Sequence, residues 1–224
     1  MPNLAFRAAS NAADSTFTVA SLSATLPTGT LQNDLAVVYF LSLETAPTVA
    51  PTHTTPAGWS VAGTRTFVEG SGAFNVRVTV FYRIEPASPG AVTFTASSNS
   101  ALAVQRLSFD NPDLVAPFDQ ISTGNGETWS DAAAPINAVV TGFTTPKANE
   151  MLVIFATGGV AMTWTAPADF TERVDANSTA SFTFLFPTAS ATGNRTAVAS
   201  TGGDGLIVMV AFRSEEQTNF LMMF

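Results

Sequence analysis

The sequence predicts an all-β protein, an antiparallel β-sandwich of jelly-roll type that is internally duplicated. Short apolar runs alternate with turn segments rich in Gly, Pro and Asn along all 224 residues. No window of about 11 residues keeps a helical period. The 18 phenylalanines and the many β-branched residues favour sheet over helix. The same series of segments also occurs twice, which predicts two halves of one kind.

Two kinds of strand are expected. In "VRVTVFYRI" (76–84) apolar residues alternate with mostly polar ones, and this period of two predicts a half-buried strand. In "LAVVYFL" (35–41) and "MLVIFA" (151–156) both parities are apolar. Such strands need cover on both faces, which a loop, the other half or a neighbouring subunit would supply.

The duplication is visible as matched blocks in one order. "NDLAVVYFLS" (33–42) is answered by "NEMLVIFATG" (149–158), and "TPAGWSVAG" (55–63) by "APADFTERV" (166–174). Three further blocks follow in both halves: 78–84 with 181–187, 87–97 with 189–200, and 101–109 with 205–212. The predicted halves are residues 1–116 and 117–224, joined near the proline-punctuated "NPDLVAPFD". Two separate sandwiches and one pseudo-symmetric sandwich both fit this pattern.

Composition excludes several function classes. The chain has no cysteine, which removes thiol catalysis, Cys-ligated zinc and disulfides. A net charge of −8 and a single lysine give no basic stripe, so no nucleic-acid partner is expected. The first residues lack the pattern of a secretory signal, and the longest apolar runs are too short to span a membrane. Only 12% of residues are charged, and a surface of short uncharged side chains suits packing against other protein.

Candidate catalytic and metal-binding residues are few. His53 is the only histidine, so a Ser-His-Asp system would have to use it, but its Thr/Pro-rich surroundings favour an exposed loop histidine. Asp110, Asp113 and Asp119 would offer calcium three carboxylates, although Asp beside proline more often forms turns. A glycosidase with two facing carboxylates is the remaining enzymatic reading and ranks last. No catalytic residue, metal or cofactor is predicted.

The large aromatic residues divide into two groups. Trp59 and Phe170 hold equivalent positions in the two halves, which predicts that both are core residues. Trp129 and Trp164 have no counterpart in the other half and are expected to be exposed. Exposed tryptophans on a sandwich would stack against sugars, as in lectin-like modules.

An apolar segment, "FLMMF", comprises Phe220, Leu221, Met222, Met223 and Phe224. Burying five such side chains contributes roughly 7 to 15 kcal/mol before the cost of ordering them. Exposed on a monomer, they would favour aggregation. The segment is therefore predicted to dock on a partner; packing as a last strand on its own sandwich is the alternative.

Several blocks together resemble a family of β-rich proteins encoded among the structural genes of tailed bacteriophages and in some bacterial surface proteins. The blocks that carry the resemblance are "DLAVVYFLS", "TPAGWSVAG", "VFYRIEPASPGAVTFTAS", "LAVQRLSFDNPDLVAPFD", "TWTAPADFTERVD" and "ATGNRTAVAS". The family commonly has "PPAGW" where Thr55 begins this motif, and often a Gly-Val-Asp-Pro turn where this chain has "SFDNP" (108–112). These motifs are structural, and no site residue carries over from them.

The resemblance implies a non-enzymatic virion protein that assembles in the host cytoplasm. A capsid decoration (cement) protein is the expected function, with the major capsid protein or other virion proteins as partners. A homo-oligomer is expected, and a trimer is inferred only by analogy with such proteins. The alternative is a tail-associated or receptor-binding module that recognises host-surface glycans through Trp129 or Trp164.

Overall fold

A computed structural model describes residues 3–45, 50–68, 74–122, 128–132, 134–158 and 162–215. Those residues form strands and no helix, which confirms the all-β prediction. The described residues therefore include no helix that is long and apolar enough to cross a membrane. The strands are β1 Ala5–Ala24, β2 Leu35–Thr45, β3 His53–Thr54, β4 Ser60–Val68, β5 Phe74–Ile84, β6 Val92–Asp110, β7 Phe118–Ile121, β8 Thr128–Ala132, β9 Ile136–Val140, β10 Glu150–Gly158, β11 Trp164–Thr165, β12 Thr171–Ala176, β13 Thr179–Phe186, β14 Arg195–Ala199 and β15 Gly203–Phe212.

The strands form two large sheets and one small sheet. The first sheet has the order β1-β6-β2-β5-β4, with β3 paired to β6. The second has the order β12-β13-β10-β15-β7, with β8 paired to β15. The third joins β11, β14 and β9. Every pair of named strands in the described residues is antiparallel.

The two large sheets have the same strand order if each strand of the first half is matched with its counterpart in the second half. In this matching, β1, β6, β2, β5 and β4 correspond to β7, β15, β10, β13 and β12. In the first half, β1 and β6 extend beyond the large sheet, because β2 pairs with residues 101–109 of β6 and not with residues 92–100. The end of β1 pairs with the start of β6, and β3 pairs with β6 at Thr95 and Ala96. This three-stranded group has the place that β9, β14 and β11 have in the second half.

Three hydrophobic clusters explain the apolar runs. Val37 and Tyr39 of β2 lie in one cluster with Val153 and Phe155 of β10, so the two large sheets cover each other. The alternate residues of β2, such as Phe40, face a second cluster beneath the three-stranded group. A third cluster lies between β10 and the small sheet of the second half. Both faces of the central strands are therefore buried, as predicted, and the other half supplies one cover.

The prediction of a half-buried β5 is wrong. Val76, Val78 and Val80 face the central cluster, but Thr79 and Phe81 on the opposite face are buried as well. Phe81 packs against Phe94 of β6 with ring centroids 5.0 Å apart. The polar residues on this face are covered because the start of β6 lies over it. An alternating sequence pattern does not reveal such a cover.

Matched turns place Trp59 and Phe170 in the core. The backbone N–H of Trp59 donates to Pro56 O, and that of Phe170 donates to Pro167 O, both at 3.1 Å. The residue before each aromatic has positive φ, 76° at Gly58 and 71° at Asp169. Trp59 is 6% exposed and Phe170 is 9% exposed, which confirms that both are core residues.

Candidate functional site

His53 belongs to a network of neutral hydrogen bonds. Its Nε2 lies 2.7 Å from Ser42 Oγ, and its Nδ1 lies 2.9 Å from Thr79 Oγ1. Thr79 Oγ1 is also 3.1 Å from Thr64 Oγ1. The prediction of an exposed loop histidine is wrong, because His53 is partly buried in β3 and its ring lies 4.5 Å from that of Phe40. The network therefore ties β3 to strands β2 and β5.

This network has a Ser-His contact, but its chemistry does not suit a nucleophile. Burial, followed by the charge of Arg77, lowers the pKa of His53 to about 3, so the imidazole is a weak base at neutral pH. Ser42 is completely buried. Thr79 occupies the position at Nδ1 where a catalytic carboxylate would stand. The contact is a packing feature of the first half.

A second polar cluster surrounds Trp59. Arg106 is completely buried and donates to the Glu85 carboxylate and, at 2.7 Å, to Gly90 O. Arg83 Nη2 donates to Glu85 Oε2 at 2.9 Å, and the Arg83 guanidinium lies 4.6 Å from the Trp59 ring centroid. Burial lowers the pKa of Arg106, and hydrogen bonding to Glu85 opposes that effect. These contacts hold the turn after β5 against the core.

Each half has a triad of one arginine and two carboxylates at the start of its central strand. In the first half, Arg7 Nε lies 2.8 Å from Asp34 Oδ2, and Arg7 Nη2 lies 3.5 Å from Asp110 Oδ2. In the second half, Arg213 forms an ion pair with Asp119, and its Nε lies 3.8 Å from Glu150 Oε1.

The members of the two triads hold equivalent positions in their halves. Asp34 and Glu150 immediately precede or begin the matched strands β2 and β10, and Asp110 and Arg213 each follow a phenylalanine in the matched strands β6 and β15. Arg7 lies at an irregularity where β1 pairs with β6, and Asp119 lies at one where β7 pairs with β15. The arginine has thus exchanged places with a carboxylate between the halves.

The central carboxylates differ in their hydrogen bonds. Asp34 accepts hydrogen bonds from the Leu31 backbone N–H at 2.8 Å and from Ser108 Oγ at 3.0 Å, besides its ion pair with Arg7. Glu150 is 1% exposed, and neither of its carboxylate oxygens accepts a hydrogen bond from a donor in the described residues. Burial, followed by the charge of Asp119, raises the pKa of Glu150 to about 7. The alignment of Asp34 with Glu150 is the one sequence signal that points to these positions, and it does not reveal the difference in their hydrogen bonds.

One pocket adjoins the second triad, and another lies between the halves, where no triad residue lines it. One of about 410 Å³ lies beside the second triad and is lined by Lys147, Asn149, Glu150, Arg213 and Ser214, among others. The other, of about 340 Å³, lies between the halves, with Leu41 and Leu102 among its apolar lining residues and Asp14, Phe17, Asn177 and Ser178 among the others. Phe17 is 37% exposed and has a positive φ of 59°, an unusual conformation for a bulky residue.

The tryptophans predicted for glycan stacking are not exposed as a pair. Trp164 is 4% exposed and packs in the core of the second half, so the expectation of an exposed ring is wrong for it. Its backbone N–H donates to Asp175 Oδ2 at 2.9 Å, and strand β11 pairs with β14 of the small sheet. Trp129 lies in β8, but its side chain is outside the described part of the protein. Residues Phe220, Leu221, Met222, Met223 and Phe224 also lie outside the described residues.

Asp110, Asp113 and Asp119 have separate partners. Asp113 Oδ1 accepts hydrogen bonds from the backbone N–H groups of Val115 and Ala116, both at 2.9 Å, which confirms the turn interpretation for this residue. Asp110 and Asp119 belong to different ion triads. Within the described residues, no three acidic or histidine side chains come together as metal ligands would.

No protein-family model matches the chain, and comparison with curated proteins and with solved structures finds no match.

Proposed function

We propose that this protein is a non-enzymatic structural protein of a bacteriophage virion, and that it binds the capsid shell as a decoration (cement) protein. The phage assignment rests on the sequence resemblance. The assembly role is supported above all by one feature of the fold, the edge strand β1. The partners would be the major capsid protein or other virion proteins, and the particle would be its location.

Strand β1 is a long edge strand, which pairs with β6 alone among the described strands. It extends over 20 residues, of which only Arg7 and Asp14 are charged. Its exposed side chains include Asn11, Ser15 and Ser21, all short and uncharged. Monomeric proteins usually protect such edges with charges or proline, because unpaired backbone groups there are a template for another chain. An edge of this kind favours a protein that is covered by a neighbour in its working state.

We also infer that each half is a variant jelly roll and that the halves arose by duplication. In the first half, β1 and β6 each pair within both layers, as strands of a jelly roll do when they bend between sheets. The irregularity between Val61 and Gly63 in β4 has a counterpart between Glu172 and Val174 in β12, at matched positions of the repeat. Bulges are retained within families, so a shared bulge supports common origin.

The first test measures how many copies of the protein each particle contains. Particles that contain the protein are purified, and its amount is compared with that of the major capsid protein. A decoration protein is expected at a ratio between one to one and one to a few. A ratio near one to a hundred would overturn capsid decoration and indicate the tail or a vertex.

The edge itself is tested by charge. Ser21→Lys and Ser23→Lys add two charges to exposed positions of β1. The variant should keep its fold and lose binding to particles that lack the protein, because a partner strand would have to bury both ammonium groups. Ser60→Lys on the edge strand β4 is the matched control and should bind normally. Equal binding by all three proteins would rule out β1 as the contact edge.

A second candidate function, recognition of host glycans, is favoured by the pocket between the halves. An exposed aromatic ring, apolar floor residues and hydroxyl and amide groups together suit a sugar ring. Neither Lys nor Arg is among the described residues that line this pocket, so a neutral sugar fits better than an anionic one. In this reading Phe17, and not Trp164, supplies the stacking surface.

Glycan recognition is tested with an array of neutral and acidic sugars. Phe17→Ala should abolish binding to neutral sugars, and Val68→Ala, at another exposed apolar position, should leave it unchanged. No binding by the unaltered protein, or equal binding by both variants, would remove this candidate.

A further inference from the structure

The second ion triad has more buried negative charge than its arginine can neutralise. Glu150 and Asp119 share Arg213, and the structure gives neither Glu150 oxygen a hydrogen-bond donor. Asp119 Oδ2 also has no donor among the described residues. Two buried carboxylates around one guanidinium are left with one uncompensated charge if both ionise, and an uncompensated buried charge is costly.

We propose that Glu150 and Asp119 bind one proton between them, so that this triad is a pH-sensitive latch at the junction of the two halves. A proton on Glu150 turns its carboxylate into a carboxylic acid, whose O–H can donate a hydrogen bond to the Asp119 carboxylate. The remaining charges, one carboxylate and one guanidinium, then balance. Two carboxylates that share a site commonly hold a proton in this way.

The other groups that face Glu150 do not replace this proton. Arg213 follows β15, Asp119 belongs to β7, and Lys147 lies in the loop before β10. Lys147 lines the neighbouring pocket with Glu150 and its charge favours the ionised carboxylate, but burial and the charge of Asp119 act more strongly and raise the pKa of Glu150. On β13, the residue paired with Glu150 is the uncharged Phe186. Asp113 acts electrostatically on both Lys147 and Arg213, which adds further negative charge around the two cations.

Residue Arg213 connects this cluster to the segment between the halves. Its backbone N–H donates to Pro117 O at 2.7 Å, and its carbonyl accepts from the Asp113 N–H at 3.0 Å. The next residue, Ser214, forms an isolated β-bridge with Pro112. When Glu150 loses the proton, one buried carboxylate charge beside this arginine is uncompensated. This charge destabilises the cluster to which residues 112–117 are hydrogen-bonded.

The first half provides an internal control. Asp34 holds the position of Glu150, but it has an arginine at 2.8 Å, a hydroxyl donor and a backbone donor. These three groups compensate the charge of Asp34, whereas Glu150 has no hydrogen-bond donor among the described residues. A change at Asp34 perturbs a triad of the same architecture without touching the shared proton.

The proton is observed directly by carbon-13 NMR of the side-chain carboxyl groups in the full chain. One glutamate resonance is expected to titrate with a midpoint near 7, and it should disappear in Glu150→Gln and persist in Asp34→Asn. The proposal is overturned if every glutamate of the folded protein titrates below about 5, as ordinary glutamates do.

The latch is tested by amide hydrogen exchange at pH 5.5 and pH 8, with rates corrected for the intrinsic effect of pH. The described amides between residues 111 and 117 should be less protected at pH 8 in the natural protein, by about tenfold or more. This loss should vanish in Glu150→Gln and remain in Asp34→Asn. If protection is the same at both pH values, or if Glu150→Gln keeps the loss, the latch is wrong even where the shared proton is observed.

Discussion

Tyr39 and Phe155 stack on each other between the two large sheets, with ring centroids 4.9 Å apart and an angle of 14° between the ring planes. Each ring comes from the central strand of its half, and both residues are completely buried. The contact lies in the hydrophobic cluster that contains residues of both halves. The stability of each half therefore depends on the other through this pair.

Phe155→Ala is expected to lower the free energy of unfolding by about 3 to 5 kcal/mol, because it removes a buried ring and leaves a cavity. Phe155→Leu keeps most of the volume and should cost much less. Urea unfolding monitored by fluorescence and by circular dichroism measures both. If the halves unfold separately in the natural protein, the two halves do not depend on this interface and the reasoning fails.

The matched turns at Gly58 and Asp169 predict effects of opposite sign. Both residues have positive φ, which costs a residue with a side chain roughly 1 to 2 kcal/mol relative to glycine. No heavy atom lies within 4 Å of a Cβ added to Gly58, so Gly58→Ala should destabilise by backbone strain alone, about 1 kcal/mol. Asp169→Gly should be neutral or stabilising. Thermal unfolding of both variants measures this, and a stabilising Gly58→Ala would contradict the assigned turn.

The exchanged charges in the two triads predict a rescue. Arg213→Asp places three carboxylates together and should destabilise by about 3 to 5 kcal/mol, as expected when one partner of a buried ion pair is lost. Adding Asp119→Arg recreates the order of charges in the Arg7, Asp34 and Asp110 triad, and should recover more than half of that loss. Chemical denaturation of the two single variants and the double variant gives the coupling energy. Additive effects would mean that the triads are not equivalent.

How far the sequence predicted this fold depends on the kind of signal. The double apolar parity of residues 35–41 required two covers, but a periodic pattern defines faces and does not identify what lies on them. The lack of a repeat partner suggested that Trp164 is exposed, yet the small sheet of the second half buries it. The sequence did not predict the triads, because a carboxylate at Asp110 and an arginine at Arg213 look like a mismatch between the repeats. The two charges make sense only when the sheet places Arg7 beside Asp110 and Asp119 beside Arg213.

The state of His53 predicts how stability changes in acid. Its pKa is lowered to about 3 in the folded protein, below the ordinary value of 6.5, so the unfolded chain binds the extra proton. Stability should therefore be fully present above about pH 6.5 and decline as the pH falls toward 3. Relative to pH 7, the loss at pH 4 is on the order of 2 kcal/mol for this partly buried group.

Urea unfolding at pH 4 and pH 7 checks the contribution of His53. His53→Gln retains a donor and an acceptor for Ser42 and Thr79 but does not titrate, so its stability should change less between the two pH values. Glu150 acts at higher pH and with opposite sign, because its raised pKa makes stability fall as the pH rises from about 4.5 to about 7. An unchanged acid response in His53→Gln would show that other groups control it.

The apolar residues 220–224 give the last prediction, which concerns binding and not folding. A segment that docks on a neighbour adds nothing to the core of the free protein, so removing 220–224 should leave the thermal unfolding transition unchanged. Binding to particles that lack the protein should fall at least tenfold, because up to five apolar side chains would no longer be buried on a neighbour. Replacing the same five residues by serine separates loss of apolar contact from loss of length. Unchanged binding in both variants would exclude the segment as a docking element, and a lower unfolding temperature would mean that it packs on its own sandwich instead.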